Sequence, residues 1–205
     1  SGAAARHIAA RFGSPGTVLI GLVLELLGVL VLALILRDNT PAWLVALPLV
    51  AYGLGLGLAS AQLTGTVLRD VPVEISGQGS ATQSTVRQLG SALGTAISGA
   101  SLSIAMAITV PAALDAAGVG GAMADQLADE VRQSAGTTIS MLRAQGDHSD
   151  LGSATGTVVE ALSHGFAQAT SWSLAVAAFF LALGLLGSFR LWKATNASGA
   201  AAVRG

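Results

Sequence analysis

The sequence predicts an all-α integral membrane protein with four transmembrane helices. Hydrophobic residues make up 52% of its 205 positions and charged residues only 10%, against roughly 25% charged in soluble domains. So few charges cannot cover a water-facing surface. Four apolar runs also reach the roughly 20 residues that a helix needs to cross a bilayer core. None of them alternates with a period of two, as barrel strands do. In lipid every backbone polar group must be satisfied within its own segment, which leaves helices as the spanning solution.

The elements follow in chain order. Residues 1–16 read as a cytoplasmic loop without the basic start and apolar middle of a signal peptide. They begin at Ser1 rather than Met, as a piece of something longer would. Residues 17–36, "TVLIGLVLELLGVLVLALIL", form the first span and hold one charge, Glu25. The second span, residues 42–68, is apolar to about residue 61 and then acquires Gln62, Thr64 and Thr66. A polar stretch leads into the third span, residues 84–110, which opens with Arg87 and Gln88. Residues 111–165 form an extracytoplasmic loop. Within it Met123, Leu127 and Val131 recur every four residues with Asp125, Asp129 and Glu130 between them. That spacing predicts a short amphipathic helix at the outer surface, although a solvated connector fits the same composition. Residues 166–189 make the last span, and residues 190–205 a cytoplasmic tail.

Basic residues set the orientation. Arg6, Arg11, Arg69, Arg87, Arg190, Lys193 and Arg204 fall on one side, against Arg37, Arg132 and Arg143 on the other. The bias puts both ends of the segment in the cytoplasm of a multi-pass cell-membrane protein.

Composition excludes several function classes. A net charge of −1 without a basic run gives no case for nucleic acid. The absence of cysteine removes disulfides, thiolate metal sites and thiol catalysis. His7, His148 and His164 lack ligand spacing, so no metal is expected. "GLGLG" at residues 53–57 lacks the dinucleotide spacing and lies inside a membrane helix, so no cofactor is expected. No G-x-S-x-G accompanies the serines, and the chain reads as a non-enzyme.

What remains is packing and buried charge. In the third span Gln83, Arg87, Gly90, Gly94, Ser98, Ser101 and Ala105 make one polar-to-small face, opposite an oily one. Gly53, Gly57, Ser60 and Thr64 repeat the device in the second. Small residues let helix backbones approach closely in lipid, so Gly53, Gly57, Gly90, Gly94 and Ser98 are the helix-packing candidates. Glu25 is the sharpest single residue. A carboxylate in the middle of a span usually faces a cavity or a partner, and Gly21 and Gly28 share its face. It either carries protons or serves as a structural glutamate hydrogen-bonded across a helix contact. Arg87 either holds Asp70 or Glu74, or snorkels to the interface.

Two stretches carry a family resemblance. "SAQLTGTVLRDVP" followed by "SGQGSATQSTVRQLGSALGTAISGA" resembles the 14-helix drug:proton antiporters of the major facilitator superfamily. There a cytoplasmic loop with a Val-Pro pair precedes a Gly/Ser-rich entry and an Arg-Gln-Leu-Gly helix start. "GAAARHIAARFG" resembles the second copy of the superfamily's loop motif, with Arg11 and Gly13 in place but Ala10 where an Asp is expected. That departure puts a charge-relay role for the loop in doubt.

The resemblance implies the C-terminal bundle of a major facilitator fold, with further helices upstream. It implies export of amphipathic or cationic small molecules driven by proton entry, through bundles that rock about a midplane site. Gln62, Gln83 and Arg87 are the polar residues that would reach the cavity or the loop network. The partners are then the lipid bilayer, the N-terminal helices of the same transporter, the substrate and protons. Two alternatives stay open: a non-transporting membrane subunit packed against a partner, and a self-contained four-helix exporter using Glu25.

Overall fold

The computed structural model describes residues 2–67 and 71–202, with side-chain surroundings for residues 9–63, 71–190, 192 and 193. Among the described residues the chain is all helical: α1 (Gly2–Ile35), α2 (Ala42–Val67), α3 (Ser76–Ala116), α4 (Ala122–Gln133), α5 (Thr137–Gln145) and α6 (Thr155–Ala202). Short 3₁₀ turns at Val73–Ile75, Gly146–His148 and Gly152–Ala154 complete it. Among the described residues four segments are long and apolar enough to cross a membrane: Ala9–Ile35, Ala42–Leu63, Val73–Ala116 and Gly152–Arg190. Their length and composition are compatible with an integral membrane protein.

Several helices outrun the apolar runs that announce them. Residues 2–16, expected as a loop, are helical but broken at Gly13, whose φ of 73° and ψ of 166° no helix accommodates. Only glycine adopts such angles without strain. Pro15 then lies in the first turn of the continuing helix, where its missing N–H would have no partner anyway. The hydroxyl of Thr17, fully buried, donates to the Gly13 carbonyl at 2.9 Å and ties the break to the helix that follows. In α3 the helix begins at Ser76, and α6 begins at Thr155, each well before its apolar run.

The chain divides into two compact units. The first takes α1 as far as Val31, α2 from Ala46, α3 up to Thr95 and α6 from Ala177. It includes a close seam between α1 and α2, and Val18 and Val29 of α1, Leu58 and Ala59 of α2 and Ala178 of α6 are buried in it or elsewhere in the unit. Other apolar side chains of this unit lie open, among them Val86, Leu89 and Leu93 of α3 and Phe179, Phe180 and Phe189 of α6. Lipid solvates such faces where water would not.

The second unit takes the end of α1 from Leu32, the turn through Val45, α3 from Ala96, α4, α5 and α6 up to Val176. It has a core of its own. Met106, Val110 and Leu114 of α3 pack with Leu127 and Val131 of α4, Ile139 of α5 and Val158 and Leu162 of α6. Gly165 brings α6 against α3: a Cβ there would stand 2.8 Å from the Cα of Val110. At that crossing the Thr109 hydroxyl donates to the Gly165 carbonyl at 2.7 Å. Among the predicted amphipathic positions Leu127 and Val131 are buried and Met123 is exposed.

A buried glutamate in a glycine-lined helix seam

The candidate site is in the first unit, where α1 and α2 run against each other. Backbone contact is possible because three positions lack a side chain. A Cβ on Gly21 would meet the carbonyl of Gly55 at 2.7 Å and the amide nitrogen of Ala59 at 2.8 Å. One on Gly28 would stand 2.7 Å from the Pro48 carbonyl and 3.0 Å from the Cβ of Tyr52. One on Gly55 would run into the Gly21 carbonyl and lie 2.8 Å from the amide nitrogen of Glu25. Real Cβ atoms do not come that close. Positions rising along α1 meet positions falling along α2, so the two helices are antiparallel here.

Glu25 lies in the middle of this seam with 6% of its surface exposed. Its Cγ occupies the place beside α2 that the missing Gly55 side chain leaves, 3.0 Å from where a Cβ would be. Among the described residues no ion pair or hydrogen bond reaches its carboxyl group; the salt bridge present is the remote Arg132–Asp129 pair. Among the described residues no buried side-chain oxygen or nitrogen is fully enclosed without a partner, so the Glu25 carboxyl keeps an accessible edge. A carboxyl held among apolar helix surfaces, uncompensated yet accessible, can exchange a proton with its surroundings as those surroundings change. Among the described residues no group of three His, Asp or Glu is placed to hold a metal ion.

The other expected site residues are placed as follows. Gln83 and Arg87 of α3 line a groove of about 540 Å³ together with Leu63 and Val71. Gln62 is half-buried on α2 nearby in sequence but does not line that groove. Arg87 is exposed and makes no ion pair with Glu74; Arg69 and Asp70 lie outside the described residues, as does Arg204. Gly53 is exposed and Gly57 half-buried on α2. Gly90 and Gly94 have open space where a side chain would go. The Ser98 carbonyl accepts a hydrogen bond from the Ser173 hydroxyl at 3.3 Å. Arg11 is exposed, its guanidinium 6.0 Å from the centre of the Phe12 ring, and Gly13 is the break in α1.

Gly55 was not singled out in the sequence, although it forms the seat of Glu25. The signal was present but ambiguous, because "GLGLG" offers glycines on several faces of one helix.

No protein-family model and no solved structure matches this chain. It is 40% identical over 60 residues to the riboflavin transporter RibZ of Clostridioides difficile (strain 630). That stretch is 29% of this chain and spans only 13% of the transporter's length. With four helices long enough to span a membrane, the partial likeness points to a transport-related membrane protein.

Proposed function

We propose that the chain is the C-terminal portion of a proton-coupled efflux transporter with a major facilitator fold. It belongs, in this reading, with the 14-helix drug:proton antiporters and exports drugs or other amphipathic small molecules across the cell membrane by alternating access. Both ends of the segment face the cytoplasm. The observation that carries the proposal is the accessible, unpaired Glu25 carboxyl in the α1–α2 seam. The likeness to a transporter and the four span-length helices support it.

Antiport needs a group that takes a proton in one conformation and releases it in another. Glu25 serves as that group. When the bundles rock, the medium at the carboxyl's open edge changes, and with it the protonation of the carboxyl. In this reading the groove lined by Gln83 and Arg87 opens on the cytoplasmic side.

The test uses the complete transporter in proteoliposomes with an imposed pH gradient. A cationic dye and riboflavin serve as separate probes. Glu25→Gln is expected to abolish uphill export of the transported probe while expression and substrate exchange without a gradient persist. Unchanged gradient-driven export in that variant would reduce Glu25 to a packing role.

A second reading, a non-transporting membrane subunit, draws on the exposure of residues 84–100 of α3 on every side. It predicts no proton-linked flux of any probe and a stable complex with a partner membrane protein.

A further inference from the structure

The second unit contains a cleft that proton coupling does not use. It has a volume of about 460 Å³, inside the roughly 300–1,000 Å³ range of small-molecule sites. Two of its walls carry cations: Arg37, two residues past the end of α1, and Arg143 in the last turn of α5. Leu36, Ile139 and Phe166 supply an apolar lining. The Phe166 ring is held in place by Gly136, whose φ of 89° and bare Cα let the ring approach to 2.7 Å of a Cβ position.

The donor inventory decides what such a cleft recognises. The Arg143 guanidinium gives one hydrogen bond, to the Ser163 hydroxyl at 2.9 Å. The Ser163 hydroxyl in turn donates a hydrogen bond to the Val159 carbonyl at 2.6 Å. Arg37 contributes only its backbone amide, to the Thr40 hydroxyl at 2.7 Å. A guanidinium has five N–H donors, so most of the donors in both are unspent, and neither is in an ion pair among the described residues. Asp38 is the one acid lining the cleft. Two cations and one anion leave a net single positive charge, which a monoanion neutralises.

Position narrows the class further. The span Ala9–Ile35 ends two residues before Arg37, so in a bilayer Arg37 comes at the depth of the lipid phosphates. Cations at that depth meet the headgroups of the leaflet they face, and guanidiniums match phosphate oxygens with paired donors. We infer that Arg37 and Arg143 form a binding site for the phosphodiester headgroup of an anionic phospholipid, with Leu36, Ile139 and Phe166 against its glycerol and upper acyl chain. The site needs a membrane but does not depend on transport.

The test is native mass spectrometry of the complete protein, purified in detergent and exchanged with phosphatidylglycerol or phosphatidylcholine. Phosphatidylglycerol is expected to remain bound through delipidating activation. Arg37→Gln/Arg143→Gln should retain it at least about tenfold less well. Arg132→Gln, which removes an exposed α4 arginine paired with Asp129 at 2.8 Å, should bind like the parent. Thermal unfolding of each variant checks that the fold survives. If the double variant unfolds, Asp38→Asn replaces it, and removal of the one opposing charge should strengthen retention. Equal retention of both lipids, or of phosphatidylglycerol in parent and double variant, would overturn the site. So would full displacement by millimolar inorganic phosphate, which would assign the arginines to a free anion.

Discussion

Glu25 and Gly55 show how much a missing side chain can decide. Two residues before Gly55, Gly53 has open space beyond its Cα, whereas Gly55 has the backbone of α1 within contact distance. Gly55→Ala is expected to lower the stability of the 205-residue chain in detergent by about 1–3 kcal/mol, the usual range for overpacking. Gly53→Ala should be neutral or stabilising by roughly 0.5–1 kcal/mol, because alanine costs the helix less backbone entropy. The thermal midpoint should therefore fall for Gly55→Ala and hold or rise for Gly53→Ala, and a common fall would dismiss the seam. Gly21 and Gly28 could be read beforehand as sharing the face of Glu25, since residues three and four apart stack along a helix. Which α2 glycine they meet could not. Successive glycines of "GLGLG" point about 200° apart, and only the position of α1 chooses among them.

At the level of elements, apolar length was enough to announce four long helices, and it under-read their ends. At the end of α3 and the start of α6 the turns beyond the apolar runs carry Leu114, Val158 and Leu162, and packing in the core of the second unit keeps them helical. Leu127 and Val131 carry the legible part of α4, both buried against α3 and α6. By contrast α5 was not anticipated. Its signal was the pair of glycines that bracket it, Gly136 with φ 89° and Gly146 with φ 54°, which start and stop a helix where other residues would be strained. The α3–α6 crossing offers a graded test of this unit. Thr109→Val keeps the shape and removes the hydrogen bond to Gly165, a loss of about 1 kcal/mol. Gly165→Ala brings a methyl against the backbone of Val110 and the Thr109 carbonyl, and about 1–3 kcal/mol should be lost. Urea titration of both variants would order them, and Thr109→Val proving the more damaging would show that packing is not what holds the crossing.

For the whole molecule the telling feature is what the chain leaves bare. Residues 84–100 of α3 are exposed on every face, the glycine side as much as the side of Val86, Leu89 and Leu93. A lipid-facing helix needs only the oily side; a stripe of small residues is useful where another backbone comes close. Under the transporter reading, a further helix of the complete protein covers Gly90, Gly94 and Ser98. Gly94→Leu then separates the chain from the whole. Within the 205 residues the new side chain enters open space, so helicity and thermal midpoint in detergent should stay within error, aided by the better helix propensity of leucine. In the complete transporter the same substitution should force two helices apart. It should lower the midpoint by several degrees or remove the protein from the membrane fraction. Equal tolerance in both would place the stripe against lipid and remove the main reason to expect a helix there. Equal damage in both would mean that α3 is already packed on that face within this segment, through contacts that its exposure does not allow.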